Sequence, residues 1–246
     1  MSRTVLLTSG TSGIGKSIAE KIIKNSTCDD DKLIINYGHN DEAAINLKNS
    51  FSNQDKNKIY LIKSDMSSEE GLNYLVEKTL EITSSIDWLI LNTGIGTYEK
   101  FDNYTFELCN KIMNTNVIVP QMLVKNLKPY FNKNGKILFM GSHAGDATYS
   151  SSIIYSISKA AVHHLARCLP KEFDDKSVSI NAIAPGFVET PWQNGRSQES
   201  YDRINKKIAM HRFAESEEVA KICYDVLTND YINGTVISIH GGYDYF

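Results

Sequence analysis

The feature that most constrains the fold of this chain is a regular alternation of two hydrophobic patterns. Short apolar runs, several of them apolar at every position, alternate with longer amphipathic segments. The first pattern is typical of strands covered on both faces, and the second is typical of the helices that cover them. The predicted strands are Thr4–Thr8, Leu33–Tyr37, Ile59–Lys63, Trp88–Asn92, Lys136–Met140, Val178–Ile183 and Val236–His240, and the predicted helices are Ile14–Lys24, Glu69–Thr83, Phe106–Phe131, Tyr155–Phe173 and Ser216–Leu227. The alternation predicts βαβ units in one α/β domain over residues 1–246, a doubly wound parallel sheet of about seven strands.

Composition excludes several classes of protein. The net charge of −3 argues against a nucleic-acid surface, which usually carries a basic stripe. No apolar run approaches the ~20 residues that span a bilayer, and the N-terminus has no signal-peptide pattern. We therefore expect no nucleic-acid partner and no membrane association.

Cysteines and histidines give no sign of a metal site. Cys28, Cys109, Cys168 and Cys223 are far apart in the sequence and form no C-x-x-C pair, so a reducing cytoplasm is the expected compartment. The neighbours His163 and His164 point about 100° apart on a helix and make a poor metal pair. We expect no metal centre.

A glycine-rich turn follows the first predicted strand. In "TSGTSGIG", residues 8–15, three glycines stand where the first strand gives way to the first helix. Such a turn lets the backbone approach a pyrophosphate, and the helix N-terminus adds free N–H groups. A plain strand-to-helix turn would have the same pattern, so the segment alone allows both interpretations.

A second constellation lies far downstream, in "YSISK". Tyr155 and Lys159 are four residues apart, so a helix places them on one face. We expect the lysine ammonium to lower the pKa of the phenol, which suits general acid–base catalysis near neutral pH. Ser142, thirteen residues before the tyrosine, could hold a carbonyl oxygen on which negative charge develops.

Together these motifs resemble the short-chain dehydrogenase/reductase family, in order and over nearly the whole chain. The matching segments are "TSGTSGIG" at 8–15, "DM" at 65–66, "LNTGIG" at 91–96, "NTN" around Asn116, "GSHAG" with Ser142, and "NAIAPGFVET" at 181–190. The resemblance implies a Rossmann-type fold and transfer of a hydride between a nicotinamide cofactor and a carbonyl or secondary alcohol.

The resemblance also implies the site residues. Asn116, Ser142, Tyr155 and Lys159 would be catalytic, with Lys159 also binding the nicotinamide ribose and Asn116 anchoring a water that links the lysine to solvent. The implied cofactor contacts are Ser9, Gly10, Ser12, Gly13, Ile14, Gly15, Asn36, Tyr37, Asp65, Met66, Asn92, Gly94, Tyr155, Lys159, Pro185, Gly186, Val188 and Thr190.

Two positions depart from the family pattern. Ser9 occupies the place of the first glycine in the turn, and we expect Gly10 to take up the unusual backbone conformation instead. Leu91 and Thr93 replace Asn and Ala around Asn92, which adds a methyl and a hydroxyl near the cofactor.

The end of the second strand bears on the choice of cofactor. NAD-preferring relatives carry an Asp near the position of Tyr37, and no acid stands there. Neither Ser12 nor Gly38 supplies the Arg or Lys that NADP users often have. We expect NADP(H), held by neutral donors between Asn36 and Asn40, with NAD(H) as the alternative.

On overall resemblance the substrate class is that of a 3-oxoacyl-carrier-protein reductase, with a sugar, polyol or steroid dehydrogenase as the alternative. A non-catalytic nucleotide-binding redox sensor is a third reading, which the presence of Tyr155 and Lys159 disfavours. Residues 189–212 follow no clear pattern and are expected to form a mobile flap over the substrate.

Three further expectations concern the helices and one loop. The Phe106–Phe131 and Tyr155–Phe173 helices are expected to pack in a homo-oligomer, a tetramer or a dimer. Pro170 should kink the second of them near Ala166. His143 is expected to be a loop histidine at the edge of the cleft.

Overall fold

A seven-stranded parallel sheet forms the centre of the chain in the computed structural model, which describes residues 2–147 and 152–243. Its strands, numbered together with two short ones outside it, are β1 (Thr4–Leu7), β2 (Lys32–Tyr37), β3 (Ile59–Lys63), β4 (Ile86–Leu91), β5 (Phe131–Met140), β6 (Ser179–Pro185), β7 (Val188–Glu189), β8 (Ala214–Glu215) and β9 (Val236–Ile239). The order across the sheet is β3-β2-β1-β4-β5-β6-β9, and every neighbouring pair is parallel. The predicted doubly wound α/β fold is confirmed.

Helices cover both faces of the sheet. They are α1 (Gly13–Lys24), α2 (Asp41–Asn49), α3 (Asn53–Lys56), α4 (Glu69–Ile82), α5 (Phe106–Met113), α6 (Val119–Leu127), α7 (Ile153–Cys168), α8 (Gln198–Asn205) and α9 (Ser216–Leu227). One apolar cluster joins the sheet to α4, α6 and α7, and a second joins its other face to α1 and α9. Because β1 and β4 are adjacent while their connections run to opposite sides, the carboxyl ends of these strands open into a crevice, where ligands bind in this class of sheet.

The long predicted helix Phe106–Phe131 is interrupted. A π-helical turn at Asn114–Ile118 separates α5 from α6, and a 3₁₀ turn at Lys128–Tyr130 follows. Such wide turns are rare and are found mostly at functional sites. Hydrophobic periodicity did not reveal this one, since a single extra residue barely disturbs the pattern.

Pro170 does not kink a continuing helix. Helix α7 ends at Cys168, and residues Leu169–Lys176 continue as 3₁₀ structure with Pro170 in its first turn. A proline supplies no N–H for the α-helical hydrogen bond, so the chain changes helix type at this point instead of bending near Ala166.

Helices α2, α3 and α8 and strands β7 and β8 were not anticipated. Strands β7 and β8 form a separate two-stranded sheet, and α8 lies between them in the chain.

In the described part of the chain, no helix combines the length and the apolar character needed to cross a membrane.

Candidate active site

The glycine turn joins β1 to α1 at the crevice. Gly13 has a φ of +48°, which glycine adopts without strain, and a β-carbon there would lie 3.2 Å from the β-carbon of Thr190. A β-carbon at Gly15 would come within 2.6 Å of the Asn92 amide nitrogen. The turn, the end of β4 and the Thr190 segment therefore meet with no room for side chains between them.

The N-terminus of α1 is suited to a phosphate. Its N-cap residue, Ser12, makes no side-chain capping hydrogen bond, and its first turn contains no acidic residue. The first backbone N–H groups of a helix lack partners inside the helix and carry a partial positive charge. These residues therefore fit the pyrophosphate of a dinucleotide.

The expectation for Ser9 is wrong. Ser9 itself adopts the left-handed conformation, with a φ of +50°, whereas Gly10 does not. Gly10 is required for another reason, because a β-carbon there would lie 2.7 Å from Cγ2 of Ile35. The left-handed backbone costs Ser9 about 1 kcal/mol.

The two departures from the family pattern contact each other. The hydroxyl oxygens of Ser9 and Thr93 are 2.7 Å apart, a hydrogen bond between the turn and the end of β4. The Asn92 amide donates to the Ser9 carbonyl at 3.0 Å, and the Thr8 hydroxyl accepts from the backbone N–H groups of Asn92 and Thr93. This network holds Ser9 in its strained conformation.

Ser142 and Tyr155 both line the crevice. Ser142 follows β5 and Tyr155 lies in the first turn of α7, and the two side chains are close enough to interact. Burial raises the pKa of the Tyr155 phenol, although the neighbouring Ser142 side chain acts in the opposite direction. The expected lowering by Lys159 is therefore wrong for this structure, because desolvation of the phenolate dominates.

Lys159 is buried one turn further along α7. Its ammonium donates to the Met140 carbonyl at 2.7 Å and lies 5.7 Å from the centre of the Tyr155 ring. Burial lowers the pKa of Lys159 to about 8. The side chain is therefore mostly charged at neutral pH and loses its proton in mildly alkaline solution.

Asn116 lies in the π turn, and its side chain is fully engaged. The amide oxygen accepts from the Ile95 backbone at 2.8 Å, and the amide nitrogen donates to the Ile95 carbonyl and to the Ser158 hydroxyl, both at 2.9 Å. Asn116 thereby connects the segment after β4 to α7, on which Tyr155 and Lys159 lie. A β-carbon at Gly94 would lie 3.1 Å from the Lys159 ammonium, so this segment passes directly over the lysine.

A cavity of about 1460 Å³ runs along this crevice. Thirteen of the predicted site residues line it: Ser9, Ser12, Gly13, Ile14, Asn92, Gly94, Ser142, Tyr155, Lys159, Pro185, Gly186, Val188 and Thr190. Gly10, Gly15 and Asn116 lie just behind its wall. The cavity thus joins the glycine turn to the Ser142–Tyr155–Lys159 group.

The Asn36 side chain, near the end of β2, does not point to a cofactor as expected. Asn36 is fully buried; its amide nitrogen donates to the Ser64 carbonyl and hydroxyl, and its oxygen accepts from the Ser9 backbone. Its side chain is therefore a structural link from β2 to β3 and the turn, and the expected role as a phosphate donor is wrong.

Exposed charges surround Tyr37 instead. The Tyr37 hydroxyl donates to Asp41 at 3.0 Å, and the Lys63 ammonium lies 2.6 Å from the same carboxylate. These contacts lower the pKa of Asp41 and raise that of Lys63. Sequence reasoning missed Lys63, although parallel pairing of β2 with β3 places it opposite Tyr37.

Asp65 and Met66 follow β3. Asp65 is exposed, and its carboxylate accepts from the Ser67 backbone at 2.9 Å, which lowers its pKa. The Met66 side chain is buried in the core, so only its backbone can contact a ligand.

Residues 191–207 add side chains that the motifs did not identify. The centre of the Trp192 ring lies 5.8 Å from the centre of the Tyr155 ring. A β-carbon at Gly96 would lie 3.0 Å from the Trp192 ring. Arg196, Arg203 and Lys207 also line the cavity. Two signals could have identified them: Trp192 is one of only two tryptophans, and Arg203 and Lys207 are one helical turn apart.

His143 is not at the edge of the cleft. Its side chain is buried and stacks on His240, with ring centres 4.1 Å apart. It does not line the cavity, so the expected place at the edge of the cleft is wrong. Among the residues that the structure describes, no group of three His, Cys, Asp or Glu side chains could hold a metal ion.

Comparisons with known proteins agree with this geometry. The sequence model of the short chain dehydrogenase family matches residues 3–200. An uncharacterized oxidoreductase of Bacillus subtilis is 30% identical over 250 residues, covering 99% of both chains. The 3-oxoacyl-[acyl-carrier-protein] reductase of Aquifex aeolicus is 28% identical over 241 residues, 96% of this chain and 95% of that protein. The NADP complex of the Pseudomonas aeruginosa protein RhlG superimposes with a TM-score of 0.87 and 25% identity, covering 98% and 96% of the two chains.

The chain belongs to the short-chain dehydrogenase/reductase family and is an NAD(P)-dependent oxidoreductase.

Proposed function

We propose that this enzyme reduces the ketone of a 3-oxoacyl thioester to a secondary alcohol with NADPH. The observation that carries the proposal is that Ser142, Tyr155 and Lys159 share one wall of a cavity that begins at the glycine turn. A bound nicotinamide cofactor supplies or accepts the hydride.

Tyr155 is proposed as the proton donor. Its raised pKa keeps the phenol protonated at neutral pH, the form that reduction requires. As the ketone oxygen gains negative charge, Tyr155 donates its proton to that oxygen and the Ser142 hydroxyl donates a hydrogen bond.

Lys159 is proposed to stabilise the phenolate that remains. Its ammonium is held beside the tyrosine by the Met140 carbonyl, in a buried position where solvent screens little of its charge. The same ammonium is suited to the hydroxyls of the nicotinamide ribose. Asn116 fixes the segment that passes over Lys159. The water that Asn116 is proposed to anchor would link Lys159 to solvent and so return a proton to the site.

The preference for NADP(H) is proposed to depend on Lys63. The structure adds this cation, which is paired with Tyr37 across the two strands, to the neutral donors expected at the end of β2, and its side chain is half exposed. A 2′-phosphate could displace Asp41 from it, while Gly38 leaves open space in front of the strand end. An NAD(H) preference would instead use the Asp41 carboxylate as an acceptor for the ribose hydroxyls.

The cavity mouth supports a substrate that carries an anionic group. Arg196, Arg203 and Lys207 line it, and none of them pairs with a carboxylate within residues 2–147 and 152–243. A carrier-protein or coenzyme A thioester has phosphate groups on its long arm, whereas a simple sugar, polyol or steroid has none. The basic mouth therefore favours the thioester over these alternatives.

Residues 189–212 are proposed to move over the bound substrate. They contain α8, whose Ile204 packs with Ile208 and Phe213 in a small apolar cluster separate from the two main ones. An element that packs in a small cluster apart from the main core can shift without disturbing that core.

We further propose a homo-oligomer, a tetramer or a dimer. Phe106 and Ile118 on the α5–α6 side and Ile153 and Ile157 on α7 are exposed, and α5 packs against α7. Sedimentation velocity at micromolar concentration would show a single species heavier than the 27.6 kDa chain, whereas a monomer would refute this proposal.

The four free thiols, with no disulfide among the described residues, suit the proposed cytoplasmic location.

One assay series tests the function. We would follow absorbance of the reduced nicotinamide with an acetoacetyl thioester of coenzyme A, the corresponding ethyl ester, glucose and a 3-ketosteroid, each with both cofactors. We expect the highest kcat/KM with the thioester and NADPH. Turnover of glucose or the steroid alone would favour those substrates, and cofactor binding without any turnover would favour the redox sensor.

A further inference from the structure

His163 is a buried histidine directly behind the catalytic wall. It lies on α7 one turn beyond Lys159 and is only 1% exposed. Its Nε2 accepts a hydrogen bond from the Ser142 backbone N–H at 3.3 Å, and its Nδ1 lies 3.1 Å from an Asp146 carboxylate oxygen. The ring does not line the cavity.

The loop from Gly141 to Asp146 is shaped around this ring. A β-carbon at Gly141 would overlap Nε2 of His163, and one at Gly145 would lie 2.9 Å from its Cε1. Glycine on both sides of the ring therefore lets the loop close over it. The Ser156 hydroxyl, also on α7, donates to the Ala144 carbonyl and fixes the middle of the loop.

The two partners determine where the ring carries its proton. A backbone N–H can only donate, so Nε2 must be the unprotonated nitrogen. An ionised carboxylate can only accept, so Nδ1 must carry the hydrogen. His163 is consequently neutral, in the Nδ1–H tautomer.

We propose that His163, oriented by Asp146, is a positioning residue that holds the backbone of Ser142 so that the serine hydroxyl faces Tyr155 and the substrate oxygen. This inference rests on the proposed role of Ser142. It assigns to a histidine outside the cavity a part in catalysis that acts only through the serine.

Protonation of His163 would cancel this function. With a proton on Nε2, two donors would face each other, and the Ser142 N–H would lose its acceptor. The charged groups around the ring are Asp146 from the loop and Lys159 and Arg167 from α7. Burial is the main cause that lowers the pKa of His163 below its ordinary value, while Asp146 acts against it. Activity should therefore fall only below about pH 6.5, the ordinary histidine value.

The first test reads the tautomer without measuring activity. Long-range ¹H–¹⁵N correlation spectra of the ¹⁵N-histidine-labelled protein at pH 7.5 distinguish Nδ1–H from Nε2–H rings. His163→Gln assigns the signal by its loss. We expect a neutral Nδ1–H ring; a Nε2–H or a charged ring would overturn the proposal.

The second test separates positioning from simple packing. His163→Phe keeps a ring of similar size but leaves the Ser142 N–H unpaired, so kcat should fall about tenfold at unchanged cofactor KM. His163→Gln places an amide oxygen near the position of Nε2, and it should restore most of kcat and flatten the acid limb of the pH profile. The exposed neighbour His164 provides the control: His164→Phe should change neither kcat nor the acid limb of the pH profile.

A double-mutant cycle with Ser142→Ala completes the design. If His163 acts through the serine hydroxyl, His163→Phe should change kcat less than about twofold once that hydroxyl is absent. Equal losses in both backgrounds would overturn the proposal. Should His163→Phe not fold, as judged by Tm, the Gln variant and its pH profile decide alone, and an unaltered acid limb would count against the proposal. If Ser142→Ala itself retains full activity, the proposed function fails at Ser142, and the tautomer measurement still stands independently.

Discussion

Tyr155 and Lys159 line the cavity at one end of the site, and Tyr37 and Lys63 lie outside its lining, at the carboxyl ends of β2 and β3. The two pairs present the same two side chains in opposite surroundings. Lys159 is buried and its ammonium is held by a backbone carbonyl, whereas half of the Lys63 side chain is exposed and its ammonium is held by Asp41. Burial lowers the pKa of Lys159 to about 8, while the carboxylate raises that of Lys63.

The difference teaches which physical effect can tune each pair. In a buried pair the loss of water decides the protonation state, so small displacements change the chemistry strongly. In an exposed pair solvent screens the charges, and the interaction is modest and sensitive to salt. Substitutions at the buried end should therefore have large effects, and those at the exposed end small ones.

The largest effect is expected from Tyr155→Phe. Removal of the proposed proton donor should lower kcat by about 10²–10⁴-fold while cofactor affinity, measured by fluorescence titration, stays unchanged. Tyr98→Phe is the matched control, because that exposed tyrosine lines the same cavity but only donates weakly to the Trp192 carbonyl at 3.4 Å. If Tyr155→Phe retained most of the wild-type kcat, substitution at the buried end would have no larger effect than at the exposed end, and the comparison would fail.

The next effect concerns the charge of Lys159. Because the pKa of its ammonium is lowered to about 8, the charged form is lost as the pH rises through that value, and kcat for ketone reduction should decline above pH 8. Lys159→Ala should weaken cofactor binding, lower kcat and abolish this alkaline limb. Lys171→Ala, at an exposed position beyond the end of α7, should leave all three unchanged. An alkaline limb that persists in Lys159→Ala would assign it to another group.

At the exposed end we expect a change of specificity rather than of rate. Lys63→Met should reduce the kcat/KM ratio of NADPH over NADH by about tenfold, the value of one charge-assisted hydrogen bond, and should weaken its dependence on salt. Tyr37→Asp should reverse the preference by repelling the phosphate. Lys78→Met is the control, since that lysine forms an equally short 2.6 Å ion pair with Glu81 on α4, away from the crevice. A wild-type enzyme that prefers NADH would contradict the NADP(H) proposal.

The smallest effect is expected where the two ends are joined, at Ser9 and Thr93. Ser9→Ala keeps the left-handed strain and loses the hydroxyl contact, so the free energy of unfolding should fall by about 1 kcal/mol. Ser9→Gly loses the same contact but relieves about 1 kcal/mol of strain, so it should be nearly neutral. Urea denaturation of both variants measures the difference, and equal stabilities would show that the φ of +50° carries no strain.

The sequence predicted the buried end far better than the exposed end, for a physical reason. All seven predicted strands and the helix that carries Tyr155 and Lys159 are present, because strand burial and a four-residue helical spacing are local patterns. Asn36 was misjudged and Lys63 was missed because their contacts depend on the folded sheet: Asn36 is buried against Ser64, and the register of β2 against β3 places Lys63 beside Tyr37. The contact of His163 with Ser142 was not predicted, because only the folded loop brings Ser142 to its ring.

The π turn at Asn114–Ile118 has a consequence for how this chain can change in length. Each residue of an α-helix advances about 100° around its axis, and the wide turn accommodates one residue more than an α-helical turn of the same height. Deletion of a single residue between α5 and α6 would let the segment close into ordinary helix and swing Asn116 away from Ile95 and Ser158. Residue number, and not only residue type, is thus part of the site here.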